Sequence, residues 1–133
     1  MFEKENAMSN GLDMEERREF ERFKVVQGVY AIFEPYASKR DQVIDISEKG
    51  IAFQYVATKK RTSVDGRIAI FVSDNGFSLK DIPISIVSDI ELKKMSFFSG
   101  TKMRRCGGRF GKLTAAQAAK LDFFMKNYIV MEK

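Results

Sequence analysis

The chain has 133 residues, a mass of 15.2 kDa and 44% hydrophobic side chains, enough for one domain around a single core. It has no His and one Cys, which excludes His-dependent triads, zinc modules and an intrachain disulfide, so no metal or cofactor is expected. The net charge of +5 is unevenly spread: residues 1–22 hold four basic and seven acidic side chains, and the remainder nineteen and eleven.

A basic body suits an anionic partner, although charge alone reads first as a solvated Lys-rich surface. Residues 1–14 read as a flexible lead-in and 15–133 as one domain. Asp13 is suited to cap a short helix over Asp13–Phe20, with Glu15 and Glu16 in its first turn. The opening segment lacks the apolar core of a secretion signal, and no apolar run approaches the roughly 20 residues that span a bilayer. A cytoplasmic location and no membrane segment are expected, in keeping with the unpaired Cys.

From Lys24 the pattern turns to strands. KVVQGVYAIFE (24–34) is rich in β-branched and aromatic residues and reads as one strand. After a turn at Pro35, QVIDIS (42–47) alternates, which places Val43, Asp45 and Ser47 on one face and Ile44 and Ile46 on the other. SEKG (47–50) is a tight connection and GIAFQYVA (50–57) the returning strand. RIAIFVS (67–73) follows a polar loop. FSLKDIPISIVSDIEL (77–92) holds one or two strands, with Pro83 expected at a strand start or an edge. MSFFSG (95–100) precedes a last strand near 102–111.

The period then changes. Residues 114–131 read as a helix with a Thr114–Gln117 capping box and with Ala118, Leu121, Met125, Tyr128 and Ile129 on one face. The expected fold is therefore mainly β, a six-stranded antiparallel barrel with a C-terminal helix over an open end or face.

Few residues offer catalytic chemistry. Cys106 lies beside Arg105, but without a His base it reads as a small buried strand residue. CGGRFG (106–111) lacks dinucleotide-binding spacing and reads as a strand with a close backbone approach. No paired acid and base stand out, so an enzyme is not expected.

Two other features suit anion recognition. ERREFERF (16–23) holds Arg17, Arg18 and Arg22, whose planar forks grip phosphate and stack on flat rings. Taken alone, the alternation with Glu15, Glu16, Glu19 and Glu21 reads first as a salt-bridged surface helix. DISEKG (45–50) presents Asp45 and Ser47 beside Gly50, a polar shelf or simply a turn capped by Ser47.

Together, RxxxR as Arg18–Arg22 and DxSxxG as Asp45–Gly50, in that order and one strand apart, resemble the signatures of the PilZ domain family. CGGRFGKLTAAQAAKLDFF (106–124) is similar to the family's closing strand and helix. The resemblance spans about residues 15–130. It implies a split barrel that binds cyclic di-GMP, a bacterial second messenger with two phosphates and two guanines. Arg18 and Arg22 would hold phosphate and guanine edges, and Arg17 would stack on a base. Asp45 and Ser47 would contact the ligand, and Gly50 would permit close approach. Ligand contact would order the Arg segment and change a surface read by a downstream protein of motility, pilus or polysaccharide machinery. Two other classes stay open: a small basic barrel that binds single-stranded nucleic acid through Phe53, Tyr55, Phe71 and Phe77, and a PilZ-like interaction module that binds no nucleotide.

Overall fold

The computed structural model describes residues 21–36, 40–57, 61, 64–74, 76–95 and 102–130. The expected short helix at 13–20, Arg17, Arg18 and residues 96–100 lie outside them. Within the described residues the elements run β1 (Phe23–Lys24), β2 (Val29–Glu34), β3 (Asp41–Ile46), β4 (Gly50–Ala57), β5 (Asp65–Val72), β6 (Ser78–Met95), β7 (Lys102–Phe110) and α1 (Ala115–Asn127).

Strands β3, β2, β5, β6, β7 and β4 pair in that order, and β4 pairs back to β3. All pairings are antiparallel, so the result is the expected six-strand barrel, with β1 as an extra strand on β3. Closure pairs the barrel strands on both sides, while β6 runs on past β5 and pairs there with β7 alone. Alternate residues point inward: Val29, Ala31 and Phe33 from β2, Ile68, Ile70 and Val72 from β5, and Cys106 and Phe110 from β7. Phe33 and Phe53 are fully buried, each worth about 1.5–3 kcal/mol relative to an exposed ring.

The stretch 24–34, expected as one strand, is broken by a turn. Gly28 sits at φ +90, a region that L side chains rarely adopt, and its carbonyl accepts the Ser73 N–H at 2.9 Å. β3 departs from simple alternation. A bulge between Val43 and Asp45 puts Val43 and Ile46 in the core together and turns Asp45 to the outer surface. Ser47 is not displayed beside it but buried.

The stretch 77–92, expected as one or two strands, gives the single strand β6, Ser78–Met95. Pro83 lies inside β6, not at a start or an edge, opposite Arg67 of β5. It is tolerated because the β7 ladder begins only at Ile84, so no N–H is demanded at position 83. Its carbonyl accepts the Gly111 N–H at 2.7 Å.

The capping box of α1 is present, with Thr114 Oγ1 accepting the Gln117 N–H and Gln117 Oε1 accepting the Thr114 N–H, both at 3.0 Å. The helix stops at Asn127, short of the expected 131, because the next residues pair with the chain beside β1. The Val26 N–H donates to Tyr128 O at 2.9 Å, and the Val130 N–H donates to Lys24 O at 2.7 Å. Leu121 and Phe124 are the buried residues of the helix, while Ala118, expected on that face, is exposed. The helix packs on β6, where Gln117 Nε2 donates to the carbonyls of Lys80 and Asp81. Among the described residues, no helix is long and apolar enough to cross a membrane.

Candidate functional site

The segment ahead of β1 brings Arg22 onto the outer face of β3. Its Nη1 donates to Asp45 Oδ1 at 2.8 Å. From the other side, Arg105 Nη2 on β7 donates to Asp45 Oδ2 at 3.0 Å. One carboxylate is thus gripped by two guanidiniums, one on each oxygen. The Asp45 side chain is 15% exposed, Arg22 48% and Arg105 34%, so the cluster opens to solvent.

Strand register explains how three distant residues meet. In antiparallel pairing, residues directly opposite share a face. Lys24, Asp45, Ala52, Gly107 and Ser88 form one outward row across β1, β3, β4, β7 and β6. Gln42, Gln54, Arg105 and Ile90 form the next. Ala52 and Gly107 carry almost no side chain and are themselves buried, and Arg105 reaches Asp45 across this part of the sheet.

The other DxSxxG residues build the turn itself. Ser47 is 3% exposed, and its Oγ accepts the N–H groups of Lys49 and Gly50, both at 3.1 Å. The Ser47 N–H donates to Gly50 O at 2.8 Å, and the Phe110 N–H anchors the turn through Lys49 O at 2.8 Å. A Cβ on Gly50 would lie 2.3 Å from the Gly108 carbonyl oxygen, so the β7 backbone demands glycine there. Of the five signature residues and the adjoining Arg17, the structure brings Arg22 and Asp45 together, sets Ser47 and Gly50 in the adjoining turn, and leaves Arg17 and Arg18 outside the described residues.

Arg105 was not among the residues expected at the site. The signal for it was indirect: Cys106 reads as buried, and alternation then turns Arg105 outward. Cys106 is buried as expected, and burial pushes its thiol up to about 12, which keeps it protonated and unreactive at neutral pH. Of the four rings considered as a stacking platform, Phe53 and Tyr55 are interior, and Phe77 packs against Phe123, Phe124 and Tyr128.

A second Asp–Arg group fills one end of the barrel. Arg61 donates from Nη1 and Nη2 to the two oxygens of Asp41, at 2.6 and 3.2 Å, and its guanidinium lies 3.9 Å from the Tyr55 ring centroid. The Tyr55 hydroxyl donates to Asp89, which also accepts from Arg104 Nε at 2.8 Å. Burial, then the Asp89 hydrogen bond, pushes the Tyr55 hydroxyl up to about 12.

No family model matches the sequence, and no curated protein matches it either. Solved structures do. The chain is similar to K. pneumonia MrkH in complex with c-di-GMP, with a TM-score of 0.61 and 15% identity, over 84% of this chain. It spans 52% of MrkH, about half the length of that protein. The PilZ domain of Escherichia coli YcgR with c-di-GMP matches with a TM-score of 0.60 and 17% identity, over 80% of this chain and 86% of that one. Borreliella burgdorferi PlzA in complex with c-di-GMP matches with a TM-score of 0.50 and 10% identity, over 98% of this chain and 57% of that one. The fold of this chain is that of the PilZ domain.

Proposed function

We propose that the chain is a receptor for cyclic di-GMP, bound on the outer face of β3 and β4 by residues of the two signatures. The observation that carries this reading is the Arg22–Asp45 contact at 2.8 Å, which joins one residue of each signature on one surface. Arg18 and Arg22 hold phosphate and the O6/N7 edge of guanine, and Arg17 stacks on a base. Asp45 accepts N–H groups from a guanine. Ser47 and Gly50 serve the site through the turn they build, which fixes the position of Asp45. Structural likeness to proteins solved with c-di-GMP supports the same ligand class. The chemistry required is binding alone.

Ligand binding changes the partners of Arg22. The guanidinium leaves Asp45 for the ligand, the Arg17–Arg18 segment is drawn onto the barrel, and the altered surface is read by a downstream protein. A nucleic-acid platform is disfavoured by the interior placement of Phe53 and Tyr55.

Calorimetric titration with cyclic di-GMP tests the reading. Saturable binding is expected, and Arg22→Ala should weaken it by at least about 1.5 kcal/mol, the low end for a charged hydrogen bond. An unaltered chain that does not bind, or an unchanged Kd for the variant, would overturn it.

A further inference from the structure

Resting on the reading that this face binds cyclic di-GMP, we propose that Arg105 of β7 is a further ligand-binding residue, a second guanidinium that closes on a ligand phosphate from the side opposite Arg22. Neither signature contains it.

The structure holds an internal stand-in for such a phosphate. The Asp45 carboxylate presents two oxygens, taken one each by Arg22 at 2.8 Å and Arg105 at 3.0 Å. Two guanidiniums so placed suit the two non-bridging oxygens of a phosphodiester, because carboxylate and phosphate each present a pair of anionic oxygens to the planar fork of Arg. Arg105 is a third exposed, so its donors reach solvent without a change in the barrel.

The neighbouring residue supplies the contrast. Arg104 faces inward, where Nε donates to Asp89 Oδ1 at 2.8 Å and Nη2 to Asp89 O at 3.1 Å. It is committed to the barrel, whereas Arg105 holds a carboxylate at the surface with one nitrogen. An ion pair whose guanidinium reaches water contributes little to stability and can be exchanged for a ligand with higher charge density.

The test is titration of the full chain with cyclic di-GMP at several salt concentrations. Arg105→Ala is expected to weaken binding by about tenfold or more, the scale of one charged hydrogen bond. It should also weaken the dependence of Kd on salt, since one screened charge–charge attraction is gone. Arg105→Gln, which keeps the length of the side chain, should show the same two effects. Lys126→Ala removes the same charge from an exposed helix pair and should leave both quantities unchanged. Thermal melts establish that the variants fold. An unaltered chain that binds while Arg105→Ala binds equally well overturns this inference alone. So does weaker binding with an unaltered salt slope, which would make Arg105 a positioning residue acting through Asp45. Failure of the unaltered chain to bind overturns the parent reading and this one with it.

Discussion

Two Asp–Arg clusters occupy the same barrel and differ in where they sit. Inside, Arg61 with Asp41 and Arg104 with Asp89 are nearly closed to solvent, with side-chain exposures of 8% and 2%, and 12% and 9%. Outside, Arg22, Asp45 and Arg105 share one carboxylate at 48%, 15% and 34%. The same chemistry has opposite consequences. In a low-dielectric interior an unpaired charge costs several kcal/mol, so each interior partner is bound to the other and neither is free to take a ligand. At the surface, water substitutes for either partner at small cost, so the pair can open. Exposure, more than residue type, separates the group that holds the barrel together from the group suited to recognition.

The sharpest way to break this comparison is to remove one partner from each cluster. Asp41→Ala should destabilise the fold by about 3–5 kcal/mol, because it strands the Arg61 guanidinium in the interior. Urea denaturation measures it. A loss below about 1 kcal/mol would mean that Arg61 escapes to solvent and that the two clusters do not differ in kind.

Gly50→Ala probes the turn that sets Asp45. Its Cβ would lie 2.3 Å from the Gly108 carbonyl oxygen, so one backbone must yield. Destabilisation of about 1–3 kcal/mol is expected, the usual cost of overpacking. The affinity for cyclic di-GMP should fall with it, since Asp45 moves when the turn moves. Retained affinity in a destabilised variant would separate the turn from the site.

The interior also fixes the alkaline limit of stability. Cys106 and Tyr55 are held at about 12, above the ordinary 9.0 and 10.0. A raised folded-state value means that the unfolded chain releases its proton first as pH rises. This contribution is therefore fully present below pH 9 and is lost between about 9 and 12, with Cys106 setting the onset. Denaturation midpoints should decline above pH 9, and Cys106→Ala should delay the onset towards pH 10, where Tyr55 takes over. A flat profile from 9 to 12 would show that neither group is sealed from water.

Much of the barrel was legible because strand alternation and turn residues are local signals. β4 begins and ends as expected at Gly50 and Ala57, and the capping box marks the helix start. What escaped depended on partners far along the chain. The bulge in β3 follows from its pairing with β4, and the helix ends where residues 128–130 find Lys24–Val26. Pro83 is placed by the point at which β7 joins β6. At the site, Arg22 and Asp45 were visible as members of a spaced pattern. Arg105 was not, because its membership rests on a register between strands 60 residues apart in sequence. Ser47 carried the right residue type, but its burial came from the turn that it caps.

Asp45→Asn makes the smallest expected change in stability and the most pointed one in function. The amide keeps the shape of the side chain and one acceptor oxygen but loses the charge that Arg22 and Arg105 share. Because both arginines reach water, stability should shift by no more than about 1 kcal/mol, the range for exposed ion pairs. Binding of cyclic di-GMP should fall by more than that, because the variant offers a guanine edge one acceptor and one misplaced donor. The two measurements on one variant pull the comparison apart. If stability drops as far as in Asp41→Ala, the outer cluster is structural after all. If stability and affinity both hold, Asp45 is a spectator, and recognition must reside in the guanidiniums around it.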